Sequence, residues 1–198
     1  MKTIKGLPVY IAEITDPEEG IWDISLVESP ATMQDFVCFA KDQMTFSVQD
    51  SEKRIISGVV MSADTPIYRR SPKNGEYYIV FTRDVIERMV EKMSLEGKFN
   101  NITLNHNGEL VEGVTLIELF MKDSSKGLDP SYLQNVPDGS LVASYKVENP
   151  AIWDLVKSGE FKGFSLTGLF SAVPDQEVTE LDEILNLIEE VKAKYLKQ

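Results

Sequence analysis

Residues 149–170 read NPAIWDLVKSGEFKGFSLTGLF, and their reading decides the fold. Asn149 is a good helix N-cap, Pro150 suits the first helical position, and Gly159 suits the position just past the end. A short helix is therefore expected from Pro150. After it comes a strand with Gly163-Phe164-Ser165-Leu166-Thr167-Gly168. By alternation Ser165 and Thr167 share one face, while Phe164, Leu166 and Phe170 take the other. Pro174 ends it.

Working outward, the same order recurs: strands with helices inserted. Ile55–Met61 is rich in β-branched residues, and Glu76–Phe81 reads as another strand. Thr82 can cap a helix whose Val85, Ile86, Met89, Val90 and Met93 form one apolar stripe, with Gly97 as a stop. Asn101–Asn105 is a short strand, His106-Asn107-Gly108 a turn, Val111–Lys122 a long strand and Ser140–Val147 another. Residues 1–49 look irregular. Their clearest strand-like pieces are Val9–Ala12, Trp22–Val27 and Phe36–Phe39. From Thr179 to Leu196 an apolar stripe returns at helical period, and residues 175–190 hold seven acidic side chains and no basic one. That segment is expected to be an amphipathic C-terminal helix. It would pack on the core or serve docking and oligomerisation. The division expected is one domain over 1–174 and an acidic helix over 175–198.

Composition removes several function classes. The chain has 198 residues, one cysteine (Cys38), one histidine (His106) and a net charge of −12. One cysteine forbids an intrachain disulfide, and one Cys with one His cannot form a Cys/His zinc site within the chain. The acidic balance argues against a nucleic-acid partner or an anionic membrane surface. No apolar run approaches the ~20 residues of a membrane span, and MKTIKGLPVYIAEIT is too broken to read as a signal peptide.

Three residues could carry chemistry. His106 is the only histidine available as a general base; by alternation it would share a face with Ile102 and Leu104. Glu118 lies in a strand whose two faces are both mostly apolar. A carboxylate there needs a donor unless the position is an edge and wet. Ser165 sits among small neighbours that would let a peptide carbonyl approach. Its Gly-x-Ser-x-x-Gly spacing is not the nucleophile elbow. A serine, a histidine and a carboxylate can form a triad only if the fold brings them together.

The motifs, in order, are Ile56–Met61 with Tyr68-Arg69-Arg70, Tyr78–Thr82 leading into a helix, Asn105-His106, Leu116-Ile117-Glu118, and Trp153–Glu160 running into Gly163–Gly168. Over about residues 54–172 this series resembles the prohead maturation serine proteases of tailed phages, which are related in fold to the herpesvirus capsid protease, assemblin. Ser25–Ala31 resembles an N-terminal segment of one phage branch. The resemblance implies an α+β fold: a mainly antiparallel β-barrel of assemblin type with a few helices around it. It implies Ser165 as nucleophile, His106 as base and Glu118 as the carboxylate member, with Glu112 or Asp123 to be considered if Glu118 points away. Some relatives carry an arginine after the nucleophile; Leu166 and Thr167 stand here. No metal or organic cofactor is implied. The implied substrates are the internal scaffold and the removable part of the major capsid protein, with self-cleavage, in the host cytoplasm inside the assembling procapsid. Two other readings stay open: an inactive assembly protein that keeps the fold, and an unrelated β-barrel binding module.

Overall fold

The computed structural model describes residues 1–28, 36–37, 47–50, 53–71 and 74–175. In chain order the strands are β1 (Thr3–Ile4), β2 (Leu7–Glu13), β3 (Gly20–Val27), β4 (Phe36–Val37), β5 (Ser47–Asp50), β6 (Ile55–Met61), β7 (Ile67–Ser71), β8 (Gly75–Val80), β9 (Ile102–Leu104), β10 (Val114–Met121), β11 (Leu141–Val147), β12 (Gly163–Leu169) and β13 (Ser171–Pro174). The two α-helices are α1 (Arg83–Leu95) and α2 (Pro150–Lys157). The fold is α+β and mostly strand. The expected C-terminal helix lies outside the described residues.

Among the described residues the strands form no closed barrel. Among the described residues they make three sheets, ordered β1-β2-β8-β7-β4 with β13 on β2, then β10-β11-β6-β5, then β12-β3-β9. Two pairs are parallel, β2 with β8 and β3 with β9. Parallel neighbours need long crossover connections. Alternation reports which residues share a face of a strand, not which strands become neighbours, so this arrangement was not visible in the sequence.

The helix signals act as their chemistry requires. Thr82 accepts the Val85 N–H and Asn149 accepts those of Ala151 and Ile152. Each satisfies donors that a helix start leaves orphaned. Val85, Ile86, Met89 and Met93 of α1 are buried, as are Ile152, Trp153 and Val156 of α2. Each such side chain contributes about 1.5–3 kcal/mol by leaving water. Helix α1 lies against β3. The Lys92 ammonium fixes that contact by donating to the Pro17 and Glu19 carbonyls just before the strand.

Residues 1–28 hold more regular strand structure than their sequence suggests. Strand β3 is the centre of its sheet, and Ile24 and Leu26 are fully buried. Strand β12 pairs with it antiparallel, with a register shift between Thr167 and Gly168. Gly168 is required there, because an added Cβ would sit 2.3 Å from the Gly20 carbonyl oxygen and 2.6 Å from the Phe170 ring. Phe170 in turn meets Phe81 edge-on at 5.2 Å. The single strand expected over 160–173 is in fact two, β12 and β13, and β13 pairs with β2 instead of β3.

Gly168→Ala should therefore destabilise the protein by about 1–3 kcal/mol, the usual cost of overpacking. Urea unfolding should show a lower midpoint at unchanged slope. A wild-type midpoint would mean the backbone can shift away from the added methyl.

Candidate active site

The register of one three-stranded sheet assembles the site. In β3, Asp23 and Ser25 alternate with the buried Ile24 and Leu26, so both point to the same face. Across the antiparallel pair, Ser165 lies opposite Ser25 and Thr167 opposite Asp23. Across the parallel pair, Thr103 lies beside Ser25. Five small polar side chains from three strands thus line one face. Ser25 is fully buried and Thr103 is 1% exposed, while Asp23, Ser165 and Thr167 are half-buried.

His106 arrives on a tight turn. Asn105 and His106 have φ of 47° and 56°, and the Asn107 N–H closes the turn on the Leu104 carbonyl at 3.0 Å. Positive φ at both central residues is the type I′ pattern. Asparagine tolerates it; for histidine it costs about 1–2 kcal/mol. Contacts on both sides hold the turn. Asn105 exchanges two hydrogen bonds with Glu28, and the His106 N–H donates to Ser25 Oγ at 3.2 Å. The turn interrupts the alternation that would have put His106 on the face of Ile102 and Leu104. The ring instead reaches the polar face of Thr103.

The ring is held at both nitrogens. His106 Nε2 is 2.9 Å from Ser165 Oγ. Nδ1 is 2.8 Å from Thr167 Oγ1 and 3.2 Å from Ser25 Oγ. Behind them, Asp23 Oδ1 accepts from Thr167 Oγ1 at 3.0 Å and from Thr103 Oγ1 at 2.9 Å. The Ser165–His106 separation is within the reach of a nucleophile and its base. Burial lowers the His106 pKa below its ordinary value, and the nearby Asp23 charge only partly offsets this. The neutral, proton-accepting imidazole is therefore the form at neutral pH.

Glu118 does not join them. Its Oε2 accepts from Ser144 Oγ at 2.7 Å, and Ser144 in turn meets Ser57. The strand expected to be buried on both faces is an edge strand, with Glu118 exposed and Ile117 45% exposed. A register shift between Leu116 and Glu118 also breaks the alternation used to place its side chains. The fallback acids are elsewhere too. Asp123 is held by Arg83 at 2.8 Å and by Ser125 and Lys126, which keep its carboxyl far below the usual range. Glu112 offers its backbone carbonyl to Asn149. The carboxylate that bonds to the histidine's hydroxyl partner is Asp23, which the sequence did not single out. The available signal was weak: two polar residues, Asp23 and Ser25, at alternate positions between isoleucines and leucine.

Among the described residues β12 is the end strand of its sheet, pairing with β3 on one side. A cleft of about 750 Å³ borders it on the Leu166 and Gly168 side, with Arg69, Tyr77 and Phe170 in its walls. Among the described residues, no group of three His, Cys, Asp or Glu side chains is placed to hold a metal ion. No helix among them is long and apolar enough to cross a membrane.

Residues 42–173 match the model of a family described as "Putative phage serine protease XkdF". The chain belongs to that family. The match contains both Ser165 and His106 and excludes Asp23 and Ser25, which lie upstream of it. No curated protein and no solved structure matches the chain. For a member of a phage serine protease family, the paired serine and histidine are the chemistry the family description leads one to look for.

The lone histidine allows one clean measurement. Its NMR titration should have a midpoint below the ordinary ~6.5. The unfolded chain then binds the proton more readily than the folded one, so stability should fall as pH drops from about 6.5 through the folded-state value. A midpoint above 6.5 would show that attraction to Asp23 outweighs desolvation.

Proposed function

We propose that this chain is a serine endopeptidase that works by acyl transfer, with Ser165 as nucleophile and His106 as general base. The observation that carries the reading is the 2.9 Å contact between His106 Nε2 and Ser165 Oγ. His106 takes the hydroxyl proton as Ser165 attacks a peptide carbonyl. It returns the proton to the leaving amine, and water then releases the acyl group by the same route. Among the described residues β12 is the end strand of its sheet, a position to which an extended peptide can add through main-chain hydrogen bonds.

The substrates proposed are the internal scaffold and the removable part of the major capsid protein, cleaved inside the assembling procapsid, together with the protease itself. The phage family supports the setting, and kinship in fold to assemblin is part of the same proposal. The acidic segment after residue 174 is proposed as a docking or oligomerisation element. An inactive protein that keeps the fold would have no need to hold His106 in a strained turn against Ser165, so the enzyme reading is preferred.

Coexpression with the scaffold and capsid proteins of its phage tests this. Wild type should shorten them, Ser165→Ala and His106→Ala should not, and Glu118→Gln should process like wild type. Equal processing by wild type and Ser165→Ala would sink the nucleophile assignment.

A further inference from the structure

We infer that Asp23, acting through the Thr167 hydroxyl, is the positioning acid of this site and sets which nitrogen of His106 carries the proton. The inference rests on the protease reading for its purpose but on hydrogen-bond directions for its content.

The directions follow from counting protons. An ionised carboxylate only accepts, and a hydroxyl has one proton to give. Thr167 gives its proton to Asp23 Oδ1 at 3.0 Å, so toward His106 Nδ1 at 2.8 Å it can only accept. Nδ1 must then carry the N–H. The neutral ring has one N–H, which leaves Nε2 bare and facing Ser165 Oγ at 2.9 Å. That is the tautomer a general base needs.

The second branch agrees. Thr103 gives its proton to the same Asp23 oxygen at 2.9 Å, so it accepts from Ser25 Oγ at 2.5 Å. With its proton committed, Ser25 has two lone pairs left. They face two donors, the His106 backbone N–H at 3.2 Å and Nδ1 at 3.2 Å. Ser25 Oγ also lies 3.5 Å from Asp23 Oδ1, so its proton goes to Thr103 or to the carboxylate and in either case not to His106. Asp23 hydrogen-bonds to neither Ser165 nor the ring; besides its charge, which raises the His106 pKa, it acts through its neighbours. Glu118, hydrogen-bonded to Ser144, has no part in this chain of bonds.

The test uses the full chain with ¹⁵N-labelled histidine, where His106 gives the only imidazole signals. Wild type above its titration midpoint should show Nε2 as the bare nitrogen and Nδ1 as N–H. In Asp23→Asn, an amide N–H can donate to Thr167, freeing that hydroxyl to donate to Nδ1. The tautomer should shift toward Nε2–H. The rate at which a fluorophosphonate probe labels Ser165 should fall about 100–10,000-fold, the range expected when a triad base is left in the wrong tautomer or poorly held. Thr167→Val should slow labelling, and Thr167→Ser should restore it to near the wild-type rate. That pair decides the matter if Asp23→Asn unfolds.

An unchanged tautomer and labelling rate in Asp23→Asn, or Thr167→Val as fast as Thr167→Ser, would overturn the inference. Failure of the protease reading looks different: wild type neither labels at Ser165 nor processes its substrates, whatever the tautomer of His106.

Discussion

The register of β3 between β12 and β9 is the constraint on which the site depends. It sets Ser25 opposite Ser165 and beside Thr103, and Asp23 opposite Thr167. A slip of one residue would send Asp23 and Ser25 into the core and bring Ile24 and Leu26 to the polar face. The buried aliphatics therefore protect the chemistry. The hydrophobic term that holds Ile24 and Leu26 inside is the same one that keeps the carboxylate and hydroxyls where His106 can meet them. The shift at Gly168 gives the strand pair its local irregularity just beyond Thr167, and Gly168 permits the close approach of the Gly20 carbonyl.

Strain is concentrated at one point and offset around it. The turn that presents His106 holds a histidine at positive φ. The fold retains this because Ser25 receives its N–H and Asn105 is tied to Glu28 from both ends of its amide. Strand β3 or the residue just after it supplies each of those partners. One strand thus fixes His106 from its main chain and from its ring at once.

Much of this was legible in the sequence, and the rest has physical reasons for being hidden. Thr82, Asn149 and Pro150 announce the two helices because capping is a local bond between neighbours in the chain. Ser165 and Thr167 could be placed on one face because alternation is local too. His106 stood out by being the only histidine. Asp23, Ser25 and Thr103 could not be found in that way, since each is an ordinary polar residue in a strand until strands far apart in the chain are brought into register. Glu118 looked meaningful for a reason that fails locally. A bulge at Ile117 breaks the alternation, and the strand is at an edge where a carboxylate stays wet. The three-sheet arrangement of the described residues was hidden in the same manner, because which strands pair is decided by contacts between distant segments.

The distance between those segments also orders events in time. Asp23 and Thr167 are 144 positions apart. At the usual ~5–20 residues per second of synthesis, roughly 7–30 s pass between the emergence of one and of the other. In that interval β3 has neither β12 beside it nor the Thr167 hydroxyl that bonds its carboxylate. The polar face is therefore completed among the last parts of the described chain to be made. A nascent chain carries Asp23 and His106 long before it carries Ser165 and Thr167.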